Sequence, residues 1–149
     1  MQLPAWSRHP ALWTLGFLVW TAVLWVLSDG PIPAREGPEL PHFDKVLHFG
    51  YFFGGGGLLA GAIFLTSGGS LPRTALVLVV TLVLAGVGAI DEWHQSWVPE
   101  RSGNDPVDWL ADVLGALAGA LVFWRLHPML GRGSSAAPGP EKSSSPDSP

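Results

Sequence analysis

A few short stretches of this chain hold most of the side chains able to do chemistry. They are Asp44-Lys45-Val46-Leu47-His48, Asp91-Glu92-Trp93-His94-Gln95, and the run from Arg101 through Asp105 and Asp108 to Asp112. Carboxylates beside an imidazole suit proton transfer or coordination of a divalent cation. Asp91, Asp112 and His48 are the candidates for either role. Lys45, Arg101 and His48 are the groups that would meet an anionic headgroup, and a guanidinium binds phosphate in bidentate fashion. So many neighbouring carboxylates argue against an unassisted anion site. The remaining candidates for ligand contact are Asp44, Glu92, Gln95 and Asp108. With no cysteine in the chain, thiol nucleophiles, disulfides and cysteine metal sites are excluded. His94 follows Glu92 too closely for the zinc-protease helix motif.

The elements that position these residues are apolar. The chain is 48% hydrophobic and 13% charged, against about 25% charged in ordinary soluble domains. Four apolar runs are each long enough to cross a bilayer as a helix: 11–28, 44–66, 74–92 and 106–126. The first and third lack the polar stripe that a helix in a soluble bundle requires. Tryptophans cluster near the ends of the runs, as expected at a membrane–water boundary. The expected fold class is therefore all-α: a polytopic membrane protein built as an antiparallel four-transmembrane-helix bundle. The first run is longer than a signal-peptide core and lacks a small-x-small cleavage site, so it reads as a retained anchor. A formal net charge of −4 gives no support for nucleic-acid binding.

Residues 1–10 form an N-terminal segment. The connections are 29–43, with Gly30-Pro31-Ile32-Pro33; 67–73, with Ser67-Gly68-Gly69-Ser70-Leu71-Pro72; and 93–105, bracketed by Pro99 and Pro106. The tail, 127–149, is rich in Ser, Pro and Gly, and from Gly131 to Pro149 it has too little apolar surface to fold. Four spans place both termini on one side, with Arg8, Arg73, Arg125, Arg132 and Lys142. Arg35, Lys45 and Arg101 lie on the other. The positive-inside rule then favours cytoplasmic termini, with 29–43 and 93–105 as outer loops.

An antiparallel path brings the start of the second span, the end of the third and the start of the fourth to one membrane face. Asp44/His48, Asp91/Gln95 and Asp108/Asp112 are each four apart, so each pair shares a helix face. Ionisable groups at membrane depth turn toward one another, because facing lipid is costly. Asp112 lies about two turns into its span and needs a partner such as Arg101, Lys45 or His48, or a proton.

Plainer readings stand beside these. Asp105-Pro106 resembles a helix N-cap followed by proline at the first helical position. Asp108 favours the helix dipole, and Asp44 has the form of a cap for the second span. His48 and His94 also fit interfacial residues bonded to backbone. Glu92 and Glu100 read as solvated, and Arg8, Arg73 and Arg125 as topology anchors. The pairs Gly50/Gly54, Gly57/Gly61 and Gly115/Gly119 are spaced to let helix backbones meet closely, which would draw the second, third and fourth spans together.

In order, these motifs resemble the VanZ-like family. The resemblance lies in Phe43-Asp44-Lys45-Val46-Leu47-His48-Phe49, Asp91-Glu92-Trp93-His94-Gln95, Pro99-Glu100-Arg101-Ser102-Gly103, and Asp108, Asp112, Leu114-Gly115 and Gly119. It covers roughly residues 40 to 125, and the first span is similar only in hydropathy. His94 stands where that family is variable, and the Ser/Pro tail is an extension. The resemblance implies a small protein of a bacterial cytoplasmic (inner) membrane, related to one associated with resistance to the glycopeptide teicoplanin. It implies no reaction, since most members of the family have no established activity.

Four functions follow as expectations. The chain binds a membrane lipid or a lipid-linked cell-envelope precursor by its headgroup. It is a membrane-embedded hydrolase-type enzyme using an Asp/His cluster, with a divalent cation as the conceivable cofactor. It is a structural or assembly partner whose polar cluster locks helix ends. A proton or ion pathway is disfavoured, because the third span lacks polar residues at mid-depth.

Overall fold

A computed structural model describes residues 5–30, 42–99, 101 and 103–130. The four expected spans are helices: α1 (Pro10–Ser28), α2 (Phe43–Thr66), α3 (Arg73–Gln95) and α4 (Pro106–Leu126). Each is long and apolar enough to cross a membrane, and no strand occurs among the described residues. Large apolar side chains face outward along every helix. Val26 is 72% exposed, and Leu18, Leu47, Leu82 and Leu114 are also exposed. Outside a bilayer such a surface would aggregate, whereas lipid covers it without penalty. The chain is a multi-pass membrane protein.

Local chemistry sets the helix ends. Asp105 caps α4, its Oδ1 accepting from the Val107 N–H at 2.8 Å, with Pro106 at the first helical position. Gly68 and Gly69, at φ of 63° and 74°, end α2. Their amides bond back to the Leu65 and Phe64 carbonyls, a left-handed termination that glycine adopts without strain. Asp44 does not cap α2. The helix begins at Phe43 with His42 as the capping residue, and His42 makes no side-chain cap bond. α3 runs on to Gln95, one turn past its expected end at 92. His127–Leu130 form a 3-10 turn rather than the start of a tail, because the His127 ring packs at a tilt against Phe64 and Trp124 and Leu130 is buried. The turn in 31–33, Arg35, Glu36, Glu39, Glu100, Arg132, Lys142 and the tail from 131 lie outside the described residues.

The core runs through α2, α3 and α4, with Phe52, Leu76, Val80, Leu84, Ala116 and Ala120 fully or almost fully buried. α2 and α4 meet backbone to backbone. A Cβ on Gly115 would strike the Phe49 carbonyl, one on Gly119 the Phe53 carbonyl, and one on Gly56 the Ala116 carbonyl. Gly61 instead lies against the Trp13 ring of α1, and a Cβ on Gly57 would just reach the Gly119 carbonyl at 3.9 Å. Gly50 and Gly54 do not take the packing role expected of them, because nothing lies within 4 Å of where their Cβ atoms would be. Gly50 lines the cleft beside α1, and Gly54 lines a groove that it shares with Gly119 and Val122 of α4. α1 is held to α2 by a reciprocal pair: Trp20 Nε1 donates to the Tyr51 carbonyl at 3.1 Å, and Tyr51 Oη donates to the Trp20 carbonyl at 2.7 Å.

Candidate functional site

The end of α1, the start of α2, the end of α3 and the start of α4 converge, and the candidate residues sort into two adjoining networks. The first surrounds Lys45. Its Nζ lies 2.8 Å from Asp44 and 2.7 Å from Asp105. It also forms an ion pair at 2.9 Å with Asp108 Oδ1, without hydrogen-bond alignment. An ammonium has three protons, and here three carboxylates surround it. Lys45 is thus paired with carboxylates, where the sequence left it a free cation. Asp105 is more than a cap: the Lys45 ammonium holds its carboxyl below the usual value.

Deeper in the bundle, His48 Nδ1 meets Asp112 Oδ1 at 3.0 Å. Of the partners considered for Asp112, His48 is the one that reaches it. Asp112 is 0% exposed, and its Oδ2 has no hydrogen-bond partner. Gly88 of α3 makes room for it, since a Cβ there would lie 2.8 Å from that oxygen. Glu92 is not solvated. It is 4% exposed, because α3 carries it inward beneath the 96–105 connection. Its Oε2 accepts from the Asp105 N–H at 2.8 Å, tying α3 to the start of α4, while Oε1 is buried without a partner. Asp108 is also buried. One donor atom each from His48, Glu92 and Asp108 lie within 4.8 Å of one another.

The second network joins α1 to α3. Gln95 Nε2 donates to Asp91 Oδ2 at 2.7 Å, across the expected i, i+4 spacing. The hydroxyl of Ser28 donates to the other oxygen of Asp91. Arg101 donates through Nε to the Gly30 carbonyl at 2.9 Å, through Nη1 to Gln95 Oε1 at 3.2 Å, and through Nη2 to the Leu27 carbonyl. It therefore closes the C-terminal end of α1, where unpaired carbonyls and the negative end of the dipole attract a cation. His94 stacks on Trp25 with ring centroids 4.1 Å apart and lies 3.5 Å from Asp29, which places it beside this network. Ser28 had no place among the candidates, although a hydroxyl at the polar end of an uncharged span was a usable signal.

Between α1 and α2 runs a cleft of about 690 Å³. Leu24, Val26, Leu27, Val46, Leu47 and Phe52 give it apolar walls, while Ser28, Asp44, His48, Asp91, Gln95 and Arg101 supply its polar end. His48 belongs both to this cleft and to the buried Asp112 pair.

No family model, curated protein or solved structure matches this chain.

Proposed function

We propose that this multi-pass membrane protein binds an amphiphile, a membrane lipid or a lipid-linked envelope precursor, with its headgroup at the polar end of the cleft between α1 and α2. The observation that carries this reading is the two-part lining of the cleft. Leu24, Val46, Leu47 and Phe52 suit an acyl or prenyl chain, while Asp44, Asp91, His48, Gln95 and Arg101 suit a polar group. Lys45 is enclosed by carboxylates, and Arg101 has spent part of its donor set on backbone. A mixed array of acceptors and donors fits a hydroxyl-rich or zwitterionic headgroup better than a bare phosphate. The order of the motifs favours a VanZ-like protein of a bacterial envelope, and the five-to-three distribution of Lys and Arg favours the outer face for the cleft. An effect on glycopeptide susceptibility belongs to the same proposal, through capture of an envelope precursor.

The test is native mass spectrometry of the full chain released from detergent. The parent retains lipid, and Leu47→Trp, which fills the cleft wall without touching a polar group, retains much less. Equal retention by both would overturn the reading.

A second reading is favoured by the Asp112–His48 pair. A buried carboxylate that orients an imidazole at the edge of a substrate-sized cleft is the arrangement of a general base. A hydrolase acting on the headgroup bond would use it. Release of product from radiolabelled envelope lipid by the parent, and not by His48→Gln, distinguishes this from binding alone.

A further inference from the structure

The carboxylates between α2, α3 and α4 outnumber the cations that could neutralise them. Asp44, Glu92, Asp105, Asp108 and Asp112 share Lys45 and the His48 imidazole. The partly exposed members, Asp44 and Asp105, are satisfied by Lys45. The buried ones are not: Glu92 Oε1 and Asp112 Oδ2 have no hydrogen-bond partner, at residue exposures of 4% and 0%. An ionised oxygen taken out of water without a partner is among the costliest groups a fold can hold. Glu92 is one of three residues, with His48 and Asp108, that each bring a donor atom within 4.8 Å of the others, and Asp112 bonds the His48 ring. Metal–ligand bonds of about 2.0–2.2 Å put neighbouring ligand atoms roughly 3–3.6 Å apart, so side-chain shifts of about an ångström would close this set on one ion.

We propose that His48, Glu92 and Asp108 form a binding site for a single divalent transition-metal ion, with Asp112 fixing the imidazole behind it. One nitrogen and several carboxylate oxygens suit Mn²⁺, Fe²⁺ or Zn²⁺, whereas Mg²⁺ and Ca²⁺ favour all-oxygen sets. A carboxylate bonded to the ring of a ligating histidine is a recurring support, because it fixes the ring and raises its basicity. Asp112 and His48 stand in that relation, and Gly88 provides the room Asp112 needs. The ligands come from three helices: His48 from α2, Glu92 from α3 and Asp108 from α4. The ion would therefore pin together the elements that the glycine contacts already draw close. Because His48 also lines the cleft, the ion would sit beside the headgroup end. The site does not depend on the lipid reading, and it is tested without lipid.

The experiment is titration of chelator-treated full-length protein in detergent with Mn²⁺, followed by electron paramagnetic resonance of free Mn²⁺. Unfolding is monitored in parallel by tryptophan fluorescence. The expected result is saturable binding of one Mn²⁺ per chain with a rise in unfolding temperature, and competition by Zn²⁺ stronger than by Mg²⁺. Glu92→Gln should weaken binding at least tenfold, and His48→Gln should do the same should the first variant fail to fold. Asp29→Asn, which removes an exposed carboxylate outside the set, should leave the affinity within about twofold. The loss on removing a ligand is judged against the 10–100-fold typical of outer-shell changes. Absence of saturable binding by the parent overturns the proposal, meaning that protons alone neutralise the buried acids. So does binding that Asp29→Asn reduces as much as Glu92→Gln, which would mark adventitious surface association. If Mn²⁺ binds as described and no lipid is retained, the metal site stands and the lipid reading falls.

Discussion

Asp112 of α4 and His48 of α2 are bonded across the bundle at 3.0 Å, and Asp112 has no exposed surface at all. The pair links chemistry to architecture: the carboxylate is deep enough to need a partner, and the partner reaches the cleft. Removing one member strands the other. His48→Ala is expected to destabilise the protein by about 3–5 kcal/mol, the usual cost of leaving a buried charge unpaired, as read from unfolding in detergent. Joining it to Asp112→Ala should recover part of that loss. Strict additivity of the two substitutions would show that the residues do not act as a pair.

The glycines of α2 and α4 divide into those at the contact between the two helices and those that face open space, and alanine reports the difference. Gly115→Ala and Gly119→Ala place a methyl against a backbone carbonyl of α2, and each should cost about 1–3 kcal/mol by overpacking. Gly50→Ala meets open space and should stabilise α2 by about 0.5–1 kcal/mol through helix propensity. Thermal unfolding of the three variants checks this, and a destabilised Gly50→Ala would mean that another helix or chain packs there.

Arg101 fastens the end of α1 to the 96–105 connection by bonds to the Leu27 and Gly30 carbonyls and to Gln95. Arg101→Ala should cost about 1.5–3 kcal/mol, the range for a hydrogen bond to a charged group. Arg101→Lys should rescue little, because an ammonium lacks the planar fork that reaches several acceptors at once. Full rescue by lysine would show that charge alone matters. Faster hydrogen exchange at the C-terminal turn of α1 is the local signature of the loss.

The Lys45–Asp105 pair makes the start of α4 sensitive to acid. Lys45 lowers the folded-state pKa of Asp105 below its ordinary value of 3.8. The unfolded chain therefore takes up the proton first as pH falls. The stabilising contribution is complete above that ordinary value and is lost as pH drops through the lower, folded value. Asp105→Asn keeps a good capping residue while removing the charge, so its stability should vary less with pH below about 4, where unpaired Asp titrates. An acid limb unchanged by the substitution would place the sensitivity elsewhere.

Much of this architecture was legible because it follows from short-range rules. Apolar runs of spanning length have few alternatives to helix in a bilayer. Asp105-Pro106 starts a helix by local geometry, and Gly68-Gly69 ends one. The i, i+4 spacing that put Asp91 beside Gln95 is a property of one helix, and the two are bonded at 2.7 Å. An antiparallel path was enough to gather the polar ends of α2, α3 and α4 on one face.

What the sequence by itself determined is therefore the set of helices and the end of the bundle where the polar residues meet. The tertiary structure decided which of them touch, because rotation of a helix about its axis is set by packing against neighbours and not by spacing along the chain. Helix rotation buried Glu92, which spacing alone left solvated. It enclosed Lys45 in carboxylates, matched Asp112 to His48, and left Gly50 and Gly54 facing open space while Gly115 and Gly119 met the backbone of α2. Ser28, from a span with no other sign of chemistry, came to bond Asp91 across more than sixty residues of chain. Those pairings depend on close contact between helices distant in sequence, and close-packed interfaces accept few alternative arrangements.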